Sequence, residues 1–172
     1  MLPHRRIAPP LLTVLSLAGC SEAFGPLPAA PPLLGPPFLT AEVNGELWEP
    51  GTAPGQLTLF SGTHRIAITA DRPLTQTASV ERLEFELETP VPPQPGSYLL
   101  DMGPKAFATM TTFNNGQSTA AFTTTAQHRG TLVIAEVSSL DSLITGAFRF
   151  EAVSFDGRTV RQVRGAFRLR FP

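Results

Sequence analysis

From Phe38 to the C-terminus, short runs of alternating apolar and polar residues are separated by turn formers. The clearest run is 81–88. Leu83, Phe85 and Leu87 fall on one side of it, and Glu84, Glu86 and Glu88 on the other. A period of two puts one face of a strand on a core and the other in water. FLTAEV and ELWE flank Asn44-Gly45, a pair suited to the positive φ angles of a type I′ hairpin. That turn pairs Val43 with Glu46 and Ala41 with Trp48. QLTLF, THRIAITA, SYLLD, AFATMTTF, TAAFTTTA and GTLVIAEV read as further strands. Their punctuation is Ser61-Gly62, the proline-rich TPVPPQPG, Asn114-Asn115-Gly116 and His128-Arg129-Gly130. The threonine runs 109–112 and 123–125 favour strand, because β-branching suits a pleated surface. No stretch sustains a 3.6-residue period, so no helix is predicted.

The last thirty residues specify a register. Gly146-Ala147-Phe148-Arg149 recurs as Gly165-Ala166-Phe167-Arg168, with Asp156-Gly157 between the copies as a two-residue turn signal. Closing the hairpin there sets Phe148 against Gly165, Gly146 against Phe167, Ile144 against Leu169 and Phe150 against Val163. Each glycine then lies beneath an aromatic ring of the partner strand. These eight positions share the core face. Arg149, Glu151, Arg164, Arg168 and Arg170 share the opposite, wetted one. A slip of one residue would turn every phenylalanine to solvent.

About ten strands within residues 38–172 predict an all-β domain, an antiparallel β-sandwich or a closed β-barrel. Few long strands and uneven connections favour the sandwich. The last strand is expected to run to Pro172 and finish inside the sheet.

The N-terminal region follows different rules. His4, Arg5 and Arg6 precede an uncharged stretch from Ile7 to Leu17, too short to span a bilayer, which takes about 20 residues. Leu17-Ala18-Gly19-Cys20 follows. It resembles the bacterial lipobox, which implies a signal peptide over 1–19, cleavage before Cys20, and lipid on the sulfur and on the new amino group. Acylation by more than one chain anchors a protein stably. A residue other than aspartate at position 21, here Ser21, favours the outer membrane in the sorting pattern that this resembles. Residues 20–37 then read as a lipidated cysteine and a tether, since six of the seventeen residues 21–37 are proline. Proline lacks the amide donor of a ladder, so a semi-rigid spacer is expected. The alternative is that Leu33, Leu34 and Phe38 dock on the domain.

Phe38-x-x-Ala41-x-Val43-Asn44-Gly45-x-x-Trp48, Gly96-Ser97-Tyr98 and Ile144-Thr145-Gly146-x-Phe148 together resemble a family of uncharacterised bacterial lipoproteins, found mainly in Bacteroidetes and relatives. These have a lipobox followed by one small β domain. The resemblance implies architecture and envelope location and carries over no catalytic residue.

Composition narrows the chemistry. The formal net charge of the 172 residues is −1, and loss of Arg5 and Arg6 with the signal peptide makes it −3. Such a chain offers no general field for nucleic acid. Its single cysteine excludes an internal disulfide framework and multi-cysteine metal sites. No nucleophile elbow, zinc-protease helix motif, P-loop or dinucleotide fingerprint is present. His64 shares parity with Ile66 and Ile68, which would carry it toward the core at a strand end, and His128 precedes a turn glycine. Neither has a second ligand at metal spacing, so no metal site and no cofactor is predicted beyond the lipid on Cys20. Glu84, Glu86 and Glu88 stand about 7 Å apart on one strand face and read as a solvated face. Trp48 reads as a core or rim anchor.

Arg149, Arg164, Arg168 and Arg170 form the one stripe with functional colour. Three readings stay open: protection of a strand edge, pairing with the Glu84–Glu88 face of a neighbouring strand, or a surface for an anion or other partner. The expected function is a non-enzymatic, membrane-anchored envelope module, binding or structural, whose partner is a protein, glycan or other envelope component. The alternative is a β-barrel carrier of a small apolar ligand.

Overall fold

The computed structural model describes residues 25–51, 56–59, 64–74, 78–102 and 106–170. The expected signal peptide, Cys20, the Ser61-Gly62 turn and Pro172 lie outside the described residues. Among the described residues eleven strands run in chain order: β1 Phe38–Val43, β2 Glu46–Trp48, β3 Gln56–Leu59, β4 His64–Leu74, β5 Ser79–Thr89, β6 Gly96–Leu100, β7 Ala106–Asn114, β8 Gln117–Thr123, β9 Gly130–Ser138, β10 Leu143–Ser154 and β11 Val160–Arg170. All their pairings are antiparallel.

The strands form one open sheet, bent into a sandwich and not closed as a barrel. β10 is the hinge. One of its edges pairs with β11 along its whole length. Its other edge pairs with β9 from Leu143 to Phe150 and then with β8 at Val153 and Ser154. One layer is therefore β2-β1-β11-β10-β9-β6, and the other is β8-β7-β5-β4-β3. β2, β3 and β6 end these paths among the described residues, so open edges remain where a barrel would have none.

The two hairpins read from the sequence have the expected registers. Val43 pairs with Glu46 and Ala41 with Trp48, and both Asn44 (φ 53°) and Gly45 (φ 85°) take the left-handed conformation that a type I′ turn demands. In the last hairpin all four expected pairs occur. Its turn is longer than the two residues expected: the ladder stops at Val153 and Val160, and Ser154 O accepts from Gly157 N at 2.8 Å. The register survives because Ser154 N still donates to Thr159 O, at 2.9 Å. The turn is fastened by the Asp156 carboxylate, which accepts from Ser154 Oγ and Arg158 N at 2.6 and 3.1 Å. Those bonds, the hydroxyl's first, hold its carboxyl below the ordinary aspartate value.

The interior is aromatic at its centre. Phe85 from one layer meets Phe148 and Phe150 from the other, with ring centroids 4.4 and 5.5 Å apart, and Phe148 stacks on Phe167 at 6.5 Å. A third glycine joins the pattern. Gly130, expected as punctuation, begins β9 and lies opposite Phe150. The outer side of β10 and β11 departs from simple alternation, because Thr145, Ala147 and Arg168 are buried there as well.

Candidate functional site

The arginine stripe sits where parity put it, on the outer face of β10 and β11, but it is not a row of free guanidinium groups. Arg164 donates from Nε and Nη2 to Glu42 Oε2 on the adjacent β1, at 2.8 and 2.5 Å. Glu42 thereby relieves the unfavourable cross-strand pair Arg149–Arg164. Arg168 is only 7% exposed. Its Nε donates to Pro36 O at 2.9 Å and its Nη1 to Pro32 O at 2.8 Å and to Leu34 O, while the guanidinium lies 5.1 Å from the centre of the Phe38 ring. Arg170 donates one long bond, 3.4 Å, to Asp141 O. Arg149 is half-buried.

These contacts correct two expectations. The proline-rich segment is not a free spacer from residue 25 onward: it lies as a strap along the outer face of β11. Gly25 lies against Arg164, so closely that a Cβ there would clash with the guanidinium. The expectation that Arg168 is a solvated side chain falls with it. A proline-rich segment cannot join a ladder, yet its carbonyls remain acceptors, and a planar guanidinium with five donors can satisfy several at once. Shallow grooves flank the strap. One, of about 280 Å³, is lined by Gly25, Glu42, Asn44, Gly45, Gln162 and Arg164. The other, of about 510 Å³, lies between Leu33, Leu34, Gly35, Leu140, Asp141 and Arg170.

The glutamate row does not pair with the stripe. β5 lies between β4 and β7, in the other layer. Its partner there is Arg65, whose Nη2 reaches Glu86 Oε2 at 2.5 Å. That bond, with the charges of Glu84 and Glu88, raises the Arg65 guanidinium above its ordinary value. His64 is exposed rather than turned to the core. His128 Nδ1 lies 3.3 Å from Glu151 Oε2, in a turn that Thr125 Oγ1 closes by accepting from His128 N at 3.0 Å. Among the described residues no three His, Cys, Asp or Glu side chains gather as a metal site would require.

The most concentrated chemistry is elsewhere, at the end of the core nearest the Asn44-Gly45 turn. Glu81 is 5% exposed and joins both layers. Its Oε2 accepts from Trp48 Nε1 at 2.8 Å and from Arg72 Nη2 at 2.6 Å. Its Oε1 accepts from Arg161 Nη1 at 2.5 Å. Arg161 also lies 4.1 Å from the centre of the Phe122 ring, and Arg72 lies 5.7 Å from that of Trp48. Both carboxylate oxygens are occupied, so Glu81 is placed as a tie between the layers and not as a free acid or base. A signal for this cluster lay in the parity. Arg72 alternates with Ile68 and Ala70, Glu81 with Leu83 and Phe85, and Arg161 with Val163 and Phe167. Each is a charged residue at a core position near a strand end, and the signs are complementary.

Residues 36–169 match the model of a family described as a domain of unknown function, DUF6252. No curated protein and no solved structure matches the chain.

Proposed function

We propose that this chain, which belongs to the DUF6252 family, is a lipid-anchored lipoprotein of the bacterial cell envelope whose β-sandwich is a non-enzymatic binding or structural module. The observation that carries the module reading is the occupied interior. The rings of Phe85, Phe148, Phe150 and Phe167 fill the space between the layers at centroid separations of 4.4 to 6.5 Å. An apolar ligand would need a chamber where these rings stand, so recognition falls to the surface. The anchor rests on Leu17-Ala18-Gly19-Cys20 and the apolar stretch before it, and Ser21 supports the outer membrane. The partners this reading implies are the membrane, through the lipid, and an envelope protein or glycan.

Detergent phase partition of the full chain tests the anchor. Wild type enters the detergent phase, and Cys20→Ser stays in the aqueous phase. Wild type in the aqueous phase would overturn the anchor. Organic extraction of purified Cys20→Ser protein tests the module: no stoichiometric apolar molecule is expected, and finding one would favour a carrier.

A further inference from the structure

We infer that the end of the sandwich carrying the 155–158 turn is a bilayer-contacting surface, seated in the lipid headgroup region by Phe155. The inference rests on the anchor at Cys20 proposed above and adds to it an orientation.

A free tether from Cys20 to Phe38 would reach about 56 Å in polyproline geometry, at about 3.1 Å per residue. The strap removes most of that length. Gly25 is already against Arg164, and the five peptide steps from Cys20 to Gly25 span at most about 18 Å. A lipidated Cys20 therefore holds this part of the domain close to the bilayer.

The strap also has a direction. It meets Arg164 at Gly25 and Arg168 at residues 32–36, so it runs parallel to β11. Its N-terminal end points toward the start of β11 and the turn before it. At that end Phe155 is fully exposed at 103%, and Arg158, whose Nε lies 3.9 Å from Asp156 Oδ2, is 85% exposed at its side chain. Val160, at the start of β11, is exposed next to this turn. A single exposed apolar residue is ordinary. Here the exposed ring stands at the tip of a tight turn, with an arginine two positions after the aspartate that fastens it, at the end to which the strap leads. An aromatic ring at the boundary of headgroups and acyl chains, with an arginine extending to phosphates, is the pattern of interfacial anchors. The opposite end exposes Leu34 at 86% and, most fully, Leu140 at 99%. Leu140 lies beyond the far end of β10, about 36 Å away at about 3.3 Å per residue.

The two ends can be compared directly. The chain has one cysteine, whose sulfur carries the lipid in the anchored form. Phe155→Cys and Leu140→Cys therefore each supply a single free thiol for an environment-sensitive fluorophore such as NBD. The labelled, lipidated full chains are reconstituted in vesicles of phosphatidylethanolamine and phosphatidylglycerol. The label at 155 is expected to shift its emission to the blue and to be quenched by nitroxide-bearing lipids. The label at 140 is expected to stay water-like and unquenched. Protein that floats with the vesicles while the label at 155 stays in water would overturn the orientation and leave the anchor standing, as would quenching at 140 instead. Protein that fails to float would overturn the anchor and the orientation with it.

Discussion

Arg168 shows how one side chain can change role without changing face. By parity it belongs to the wetted side of β11, and on that side it is buried, because the strap brings three carbonyl groups to its guanidinium. Hydrogen bonds to charged groups contribute more than neutral ones, so Arg168→Ala should destabilise the domain by about 1.5–3 kcal/mol. Arg170→Ala, on the same face with one long contact, should cost under about 0.5 kcal/mol. Urea unfolding of the two variants checks the order. Glu81 is the second residue whose place exceeds its alternation. Glu81→Ala leaves two guanidinium groups and the Trp48 N–H without their acceptor. The loss should be about 3 kcal/mol, at the low end for a broken buried pair because both arginines keep access to water. Glu81→Gln, which retains an acceptor, should lose less. Equal stability of Glu81→Ala and wild type would show that the tie between the layers contributes nothing.

At the scale of elements, the hairpin of β10 and β11 is held by rings over glycines. A Cβ at Gly165 or at Gly146 would come within 2.5 Å of the facing phenylalanine ring, Phe148 or Phe167, and closer still to a backbone carbonyl. Gly165→Ala should therefore cost about 1–3 kcal/mol by overpacking, and Phe148→Ala about 3–5 kcal/mol by the cavity it leaves. Thermal unfolding of the two variants measures both, and a neutral Gly165→Ala would mean that ring and glycine are not in contact. The strap gives a second prediction. Deleting residues 25–36 should lower the thermal midpoint by about 3–12 °C, if the loss matches that of Arg168→Ala and each kcal/mol shifts a domain of this size by about 2–4 °C. The deletion and Arg168→Ala remove the same contacts, so combining them should add little to either alone.

Across the whole molecule, most arginines among the described residues are engaged internally. Glu42, Glu81 and Glu86 take Arg164, Arg72, Arg161 and Arg65 as partners, and the strap takes Arg168. Retention of the Cys20→Ser chain on anionic vesicles should consequently depend only weakly on salt, and Arg164→Ser with Arg168→Ser should lower stability more than retention. A steep fall in retention between low and physiological salt, lost in that double variant, would restore the stripe as an anion-binding surface. The sequence by itself determined what depends on neighbours a few residues away. It set the two-residue parity of each strand, the left-handed turn at Asn44-Gly45, the hairpin register of Phe148 on Gly165 and the absence of a helical period. These follow from backbone sterics and local side-chain alternation, which need no knowledge of the rest of the chain. The tertiary structure alone decided which charge meets which, and what covers the outer face. Arg168 and Pro36 are 132 residues apart, and Arg161 and Glu81 are 80 apart. No local period encodes such contacts. They exist only after β10 has passed from one layer to the other and folded the sheet on itself.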